Sequence, residues 1–199
     1  MKHRVFRAAL LLVFAALLVL INMPFEEKSR PIVFTLPGLP RPIAKTPVVI
    51  TSAGQSTDTY IIHDITNQLM IRSFFMPQAE DTDLEDVETV VFTVGYSSLG
   101  AKYRDISYEE EIKRVKRLLE KAKEDKLTVL VVVLEGDHAD SNKTETLLRL
   151  VGAQADYLIG LRESSNEIIL TELAEDGNIP LTLVNSVNDI SGSFASAFR

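Results

Sequence analysis

The sequence predicts an α/β fold: a three-layer, doubly wound and mostly parallel sheet behind an N-terminal signal-anchor helix. Three observations predict it. From Pro47 onward, short β-rich runs alternate with segments of helical periodicity. Leu127–Leu134 is almost unbroken in its apolar character and holds four valines, the pattern of a strand buried on both faces. At the other end of the chain, a basic cluster runs directly into a long apolar segment.

That N-terminal segment comes first in the chain. Met1–Arg7 carries Lys2, Arg4 and Arg7, and Ala8–Ile21 is uninterrupted in its apolar character until Asn22-Met-Pro24. A basic region followed by such a run is a signal sequence. With tolerated flanks it approaches the length of about 17–20 residues that a spanning helix needs. No small-x-small cleavage pattern follows. Residues 1–23 therefore read as an uncleaved anchor, with residues 8–23 in the cytoplasmic membrane, rather than as the leader of a secreted product. The basic end stays in the cytoplasm and the rest is exported.

Residues 24–46 read as a proline-rich extended linker. Pro24, Pro31, Pro37, Pro40, Pro42 and Pro47 are six of the eight prolines, and proline removes an amide donor and breaks helices. Ile32-Val-Phe34 and Ile43 offer apolar side chains that suit packing along a domain instead.

Residues 47–199 form the domain. Val48–Ser52 is its first strand, and Thr59–Ile71 a helix with Ile61, Ile62, Ile65, Leu69 and Met70 at helical spacing, capped by Ser56 or Asp58. Ser73–Met76 is a short strand stopped by Pro77. Gln78–Glu88 reads as a solvated acidic loop. Thr89–Gly95 is a buried strand and Tyr96–Asp105 a long loop. Ser107-Tyr-Glu-Glu110 is a capping box. The helix behind it places acids first and lysines last, as the helix dipole favours. Thr144–Val151, Glu167–Asp176 and Val187–Phe198 complete the helices, and Tyr157–Leu161 and Pro180–Val184 complete the strands.

The chain has no cysteine, which excludes disulfides, thiolate nucleophiles and Cys-based metal sites. The net charge of −7 becomes −10 once Lys2, Arg4 and Arg7 are set aside. Such a surface repels nucleic acid.

In open α/β sheets, ligands bind at the C-terminal ends of the strands. Here that rim gathers Ser52, Gly54, Gln55, Ser56, Thr57 and Asp58 from the first turn, with Ser97 and Ser98 from the third strand. Hydroxyls and amides at a helix N-terminus suit a small polar ligand. Neither G-x-x-x-x-G-K-[ST] nor G-x-G-x-x-G occurs, and no cofactor is indicated. A second candidate is a metal site at Asp137-His138-x-Asp140 with Glu135. The loop Gly95–Arg104, with Gly100, has the length of a lid.

Gly54-Gln-Ser56 after a first strand resembles the opening block of SGNH-type esterases. That resemblance implies Ser56 as nucleophile, and serine needs a base. Asn185–Arg199 holds no histidine, so His138 beside Asp137 would have to supply it. Across the domain, Val49–Asp58, Gly95-x-Ser-Ser-x-Gly100, Ala155–Ile159 and Asn178–Val184 resemble a bacterial family of uncharacterised exported α/β proteins. That resemblance implies a Rossmann-like or flavodoxin-like sandwich. The expected function is a non-catalytic, membrane-tethered extracytoplasmic binding module, for a small polar ligand or a partner membrane protein. The alternative is the serine hydrolase.

Overall fold

The computed structural model describes residues 33–34, 38–134 and 140–199. The anchor segment 1–23 lies outside the described residues, as does most of residues 24–37. Among the described residues, no helix is long and apolar enough to cross a membrane.

Among the described residues, seven strands make one sheet. In chain order they are β1 (Val33–Phe34), β2 (Val48–Ala53), β3 (Ser73–Phe75), β4 (Thr89–Val94), β5 (Thr128–Val133), β6 (Tyr157–Leu161) and β7 (Leu181–Val184). They lie in the order β1-β7-β6-β5-β4-β2-β3, and every pairing is parallel. Counted from β2, the order runs 2-1-3-4-5-6. Its first five members have the flavodoxin-like arrangement, with the switch point between β2 and β4.

The helices are α1 (Thr59–Gln68), α2 (Ser98–Tyr103), α3 (Tyr108–Glu124), α4 (Ser141–Gly152), α5 (Glu167–Gly177) and α6 (Ile190–Ser196). Alternation along the strands decides the two layers. Val49, Val90, Phe92, Val129, Val131 and Val133 face α3, α4 and α5 through Leu118, Leu119, Leu147, Leu148 and Leu170. Val48, Ile50, Val91, Leu130, Val132, Tyr157 and Ile159 face α1 and α6 through Ile62, Ile65, Ile190 and Phe194. Both faces are covered, so the strands need apolar residues at odd and even positions alike. That is why β2, β4 and β5 read as runs rather than as alternations.

Three segments differ from the sequence expectation. The end of the proline-rich linker is part of the domain: Ala44 is buried, and Leu39 packs on the α1/α6 layer. The Leu39 N–H donates to Ser196 Oγ (2.8 Å), and the Ile43 and Ala44 N–H groups both donate to the Ala197 carbonyl (2.9 and 2.8 Å). Proline leaves few donors in this stretch, and a fourth, the Lys45 N–H, donates to Thr89 Oγ1 (3.1 Å). The acidic loop Gln78–Glu88 contains a 3₁₀ turn over Asp81–Leu84 and buries Ala79, Leu84 and Val87. Its acids are solvated, while its three apolar residues anchor it. The loop Tyr96–Asp105 contains α2, capped by Ser97, whose Oγ accepts from the Gly100 N–H (3.0 Å).

The capping box at Ser107/Glu110 forms as expected: Ser107 Oγ accepts from Glu110 N–H (3.2 Å) and Glu110 from Ser107 N–H (2.8 Å). Asn178, with φ 50°, ends α5 in the left-handed conformation.

Candidate functional site

The β2–α1 and β4–α2 connections meet at the switch point. Gly54 sits at φ 105° and Gln55 at φ 64°, so the chain turns sharply as it leaves β2. A Cβ on Gly54 would lie 2.6 Å from the Gly95 carbonyl oxygen and 2.8 Å from Leu147 Cδ1. Only glycine combines that backbone angle with that closeness. The Gly54 carbonyl accepts from Ser97 N–H (2.7 Å), and the Ala53 carbonyl accepts from Gly95 N–H (3.0 Å). Gly100 of α2 packs over Gln55, where a Cβ would come within 2.8 Å of the Gln55 carbonyl oxygen. The two connections are thus joined over the crevice.

Beneath them lies a buried ion pair. Glu111 and Arg114, one turn apart on α3, are 0% and 4% exposed. Glu111 Oε1 accepts from the Gly54 N–H (2.7 Å) and Oε2 from the Gln55 side-chain amide (2.7 Å). Arg114 donates to both carboxylate oxygens, through Nη2 to Oε1 (2.7 Å) and through Nε to Oε2 (3.0 Å). Its remaining N–H groups reach the carbonyls of Ser52 and Ala79, and Thr51 Oγ1. All five guanidinium donors and both carboxylate oxygens are therefore engaged. Burial by itself would raise the Glu111 carboxyl. The Arg114 charge and hydrogen bonds outweigh it, with Gly54 and Gln55 assisting, and hold Glu111 below the usual carboxylate range.

The residues that the sequence nominates fall into two groups. Most are spent on the loop itself. Ser52 Oγ accepts from Ser56 N–H (2.7 Å), and Ser56 Oγ accepts from Asp58 N–H (3.1 Å). Gln55 is buried, and its side-chain Oε1 accepts from Gln78 Nε2 (3.3 Å). Ser97 Oγ caps α2. Asp58 stands at the N-cap position of α1 without a side-chain cap bond, and burial pushes its carboxyl up against the opposing effect of Ser56. Thr57 and Ser98 are the exposed members. The second group lies elsewhere: Glu135, Asp137 and His138 fall outside the described residues, so the Ser56–His138 pairing and the metal cluster do too. Asp140 is described, and pairs with Lys143 Nζ at 3.4 Å.

Sequence reasoning missed Glu111 and Arg114. The sequence singles out neither, yet they stand in line with the apolar face of α3, Glu111 at i−4 from Val115 and Arg114 at i−4 from Leu118. That register is the signal that was available. It missed Leu99 and Tyr103 as well. They are 61% and 82% exposed, spaced i, i+4 on α2 beside the joined loops.

Recesses open at both ends of the strands on the described surface. One of about 280 Å³ lies beside the ion pair and is lined by Glu111, Arg114, Lys113, Arg117, Glu80 and Ile106, among others. Another, about 740 Å³, lies at the opposite ends of the strands, between Ile43, Leu119, Leu127 and Gln154.

The sequence profile of a family described as a domain of unknown function (DUF6305) matches residues 45–198. The chain belongs to this family. The match spans β2 through α6, and so includes the whole of the joined rim. No curated protein matches the chain.

Proposed function

We propose that this member of the family is a non-catalytic binding module, held by its N-terminal segment on the extracytoplasmic side of the cytoplasmic membrane, that docks a partner membrane protein at the β2/β4 rim. One observation carries the choice of a protein over a small polar ligand. The buried polar groups at the rim are consumed internally, while Leu99 and Tyr103 project beside them. Exposed aliphatic and aromatic side chains supply contact area to a protein partner and little to a small polar solute. The basic-then-apolar N-terminus supports the membrane location.

Photocrosslinking in intact membranes tests this. A photoreactive residue at position 99 or 103 should give one discrete protein adduct, and one at Ile168, 72% exposed on α5, should not. The adduct at position 103 should disappear when Leu99→Asp is added. Equal labelling from all three positions, or none, would refute the rim as a docking surface. Turnover of short-chain esters that is abolished by Ser56→Ala would favour the hydrolase instead.

A further inference from the structure

The rim loop of this fold holds an anion of its own. After β2, the Gly54 N–H, the Gln55 amide and the Arg114 guanidinium converge on one point, and the Glu111 carboxylate fills it. Four donor contacts from three residues, each 2.7–3.0 Å long, make a complete carboxylate receptor. The receptor residues are buried, with Arg114 4% and Gln55 6% exposed. The 280 Å³ recess borders the pair and reaches it on the Arg114 side, Glu111 itself being fully covered.

We infer that Glu111 is a built-in occupant of this anion site. It sets the Gly54–Gln55 backbone in its left-handed conformation, and it closes the site to carboxylate or phosphate ligands from outside. Glu111 is in this sense a positioning and specificity-determining residue. It fixes the surface on which a partner is proposed to dock, and so deepens that reading of the rim. It also explains why two full charges are kept under the loop. A buried ion pair gains little over an apolar pair of similar size. A carboxylate that must satisfy Gly54 and Gln55 has no apolar substitute.

Chemical rescue distinguishes this from ordinary helix packing. In the full chain, Glu111→Ala should leave Arg114, Gly54 and Gln55 facing an empty receptor connected to the recess. Formate or acetate should then raise the melting temperature of the variant by several degrees. Chloride at equal ionic strength should not, and wild type should not respond. Hydrogen exchange in peptides covering 53–58 should be roughly tenfold faster or more in the variant, through loss of charged hydrogen bonds, and should slow again with formate. Exchange in β6 and β7 should hold. If Glu111→Ala does not fold, Glu111→Gln carries the test: it should loosen the same peptides and show no rescue, because its side chain still fills the site.

Unchanged exchange at 53–58 in either variant would overturn the inference. So would rescue by chloride as readily as by formate, or binding of inorganic phosphate by wild type at the loop. None of these readouts involves a partner. Loss of loop order with crosslinking from position 103 unaffected would leave Glu111 in its role and remove the rim as the docking surface.

Discussion

The two ends of the strands are built on opposite plans. At the C-terminal ends, the β2 and β4 connections are tied to each other and to Glu111 and Arg114, and the groups with chemical potential are already engaged. At the N-terminal ends, a recess of about 740 Å³ stays open between the end of α3, the linker residue Ile43 and the starts of β5 and β6. This larger space, lined by Glu120, Lys123, Lys126, Gln154 and Asp156 as well as by apolar residues, lies at the end of the sheet where doubly wound folds do not place their ligands. Size alone points to the N-terminal ends of the strands. Hydrogen-bond accounting selects the rim, where buried charge is concentrated and the backbone is held in an uncommon conformation.

The sharpest way to break this contrast is to put a side chain where the rim admits none. Gly54→Val adds a β-branched residue at φ 105°, with its Cβ pressed against the Gly95 carbonyl and Leu147. Neither the backbone oxygen nor a core leucine can withdraw cheaply. The expected cost is about 3 kcal/mol or more, measured as a lower urea midpoint. A loss below about 1 kcal/mol would mean that the two connections are not joined as described.

Acid sharpens the contrast next. The folded Glu111 carboxyl is held below its ordinary value by Arg114, Gly54 and Gln55. Its contribution is therefore fully present above the unfolded value of about 4.3 and is lost as pH falls through the folded value. Glu111→Gln should cost about 2–3 kcal/mol at neutral pH, and the gap from wild type should narrow steadily below about pH 4. Parallel stability curves across that range would show that the carboxylate charge contributes nothing. The recess at the other end has no equivalent buried acid: Asp156 is exposed, its carboxylate accepting from Val129 N–H at the surface.

Much of this was legible in the sequence, for identifiable reasons. The runs at Val48–Ala53, Thr89–Val94 and Thr128–Val133 announce a sheet covered on both faces, because short runs rich in β-branched apolar residues suit strands buried on both sides. The Ser107/Glu110 box announces the start of α3 because its hydrogen bonds are local. The turn at Gly54 was legible as a turn, and its hydroxyls as a polar cluster. Their direction was not. Whether Ser56 Oγ faces solvent or the Asp58 N–H depends on the left-handed step at Gln55, and glutamine carries no such marker. The Glu111–Gly54 contact spans 57 residues, so no local pattern reports it. The linker misled for the opposite reason. Its prolines correctly exclude a helix, but an extended chain serves equally as a tether or as a packed strap, and the Ala197 carbonyl that receives it lies at the far end of the chain.

The smallest expected effect lies at the open end, and it tests whether that space matters to the fold. Ile43 is 37% exposed, although its backbone is fixed on both sides: its N–H donates to Ala197 and its carbonyl accepts from Thr128 Oγ1 (3.3 Å). The side chain borders the recess without filling it. Replacing it with serine removes a partly exposed apolar group and leaves the backbone bonds in place. The expected loss is about 0.5–1 kcal/mol, well below full burial of an isoleucine at about 1.5–3 kcal/mol. Crosslinking from position 103 should be unchanged, because the two ends share no side chain. A cost as large as that of Glu111→Gln would show that the strap, rather than the ion pair, holds the domain together, and that the recess is closed in solution by more of the linker than Ile43. A small cost with altered crosslinking would instead place part of the partner at the N-terminal ends of the strands, and the contrast between the two ends would then describe one continuous surface.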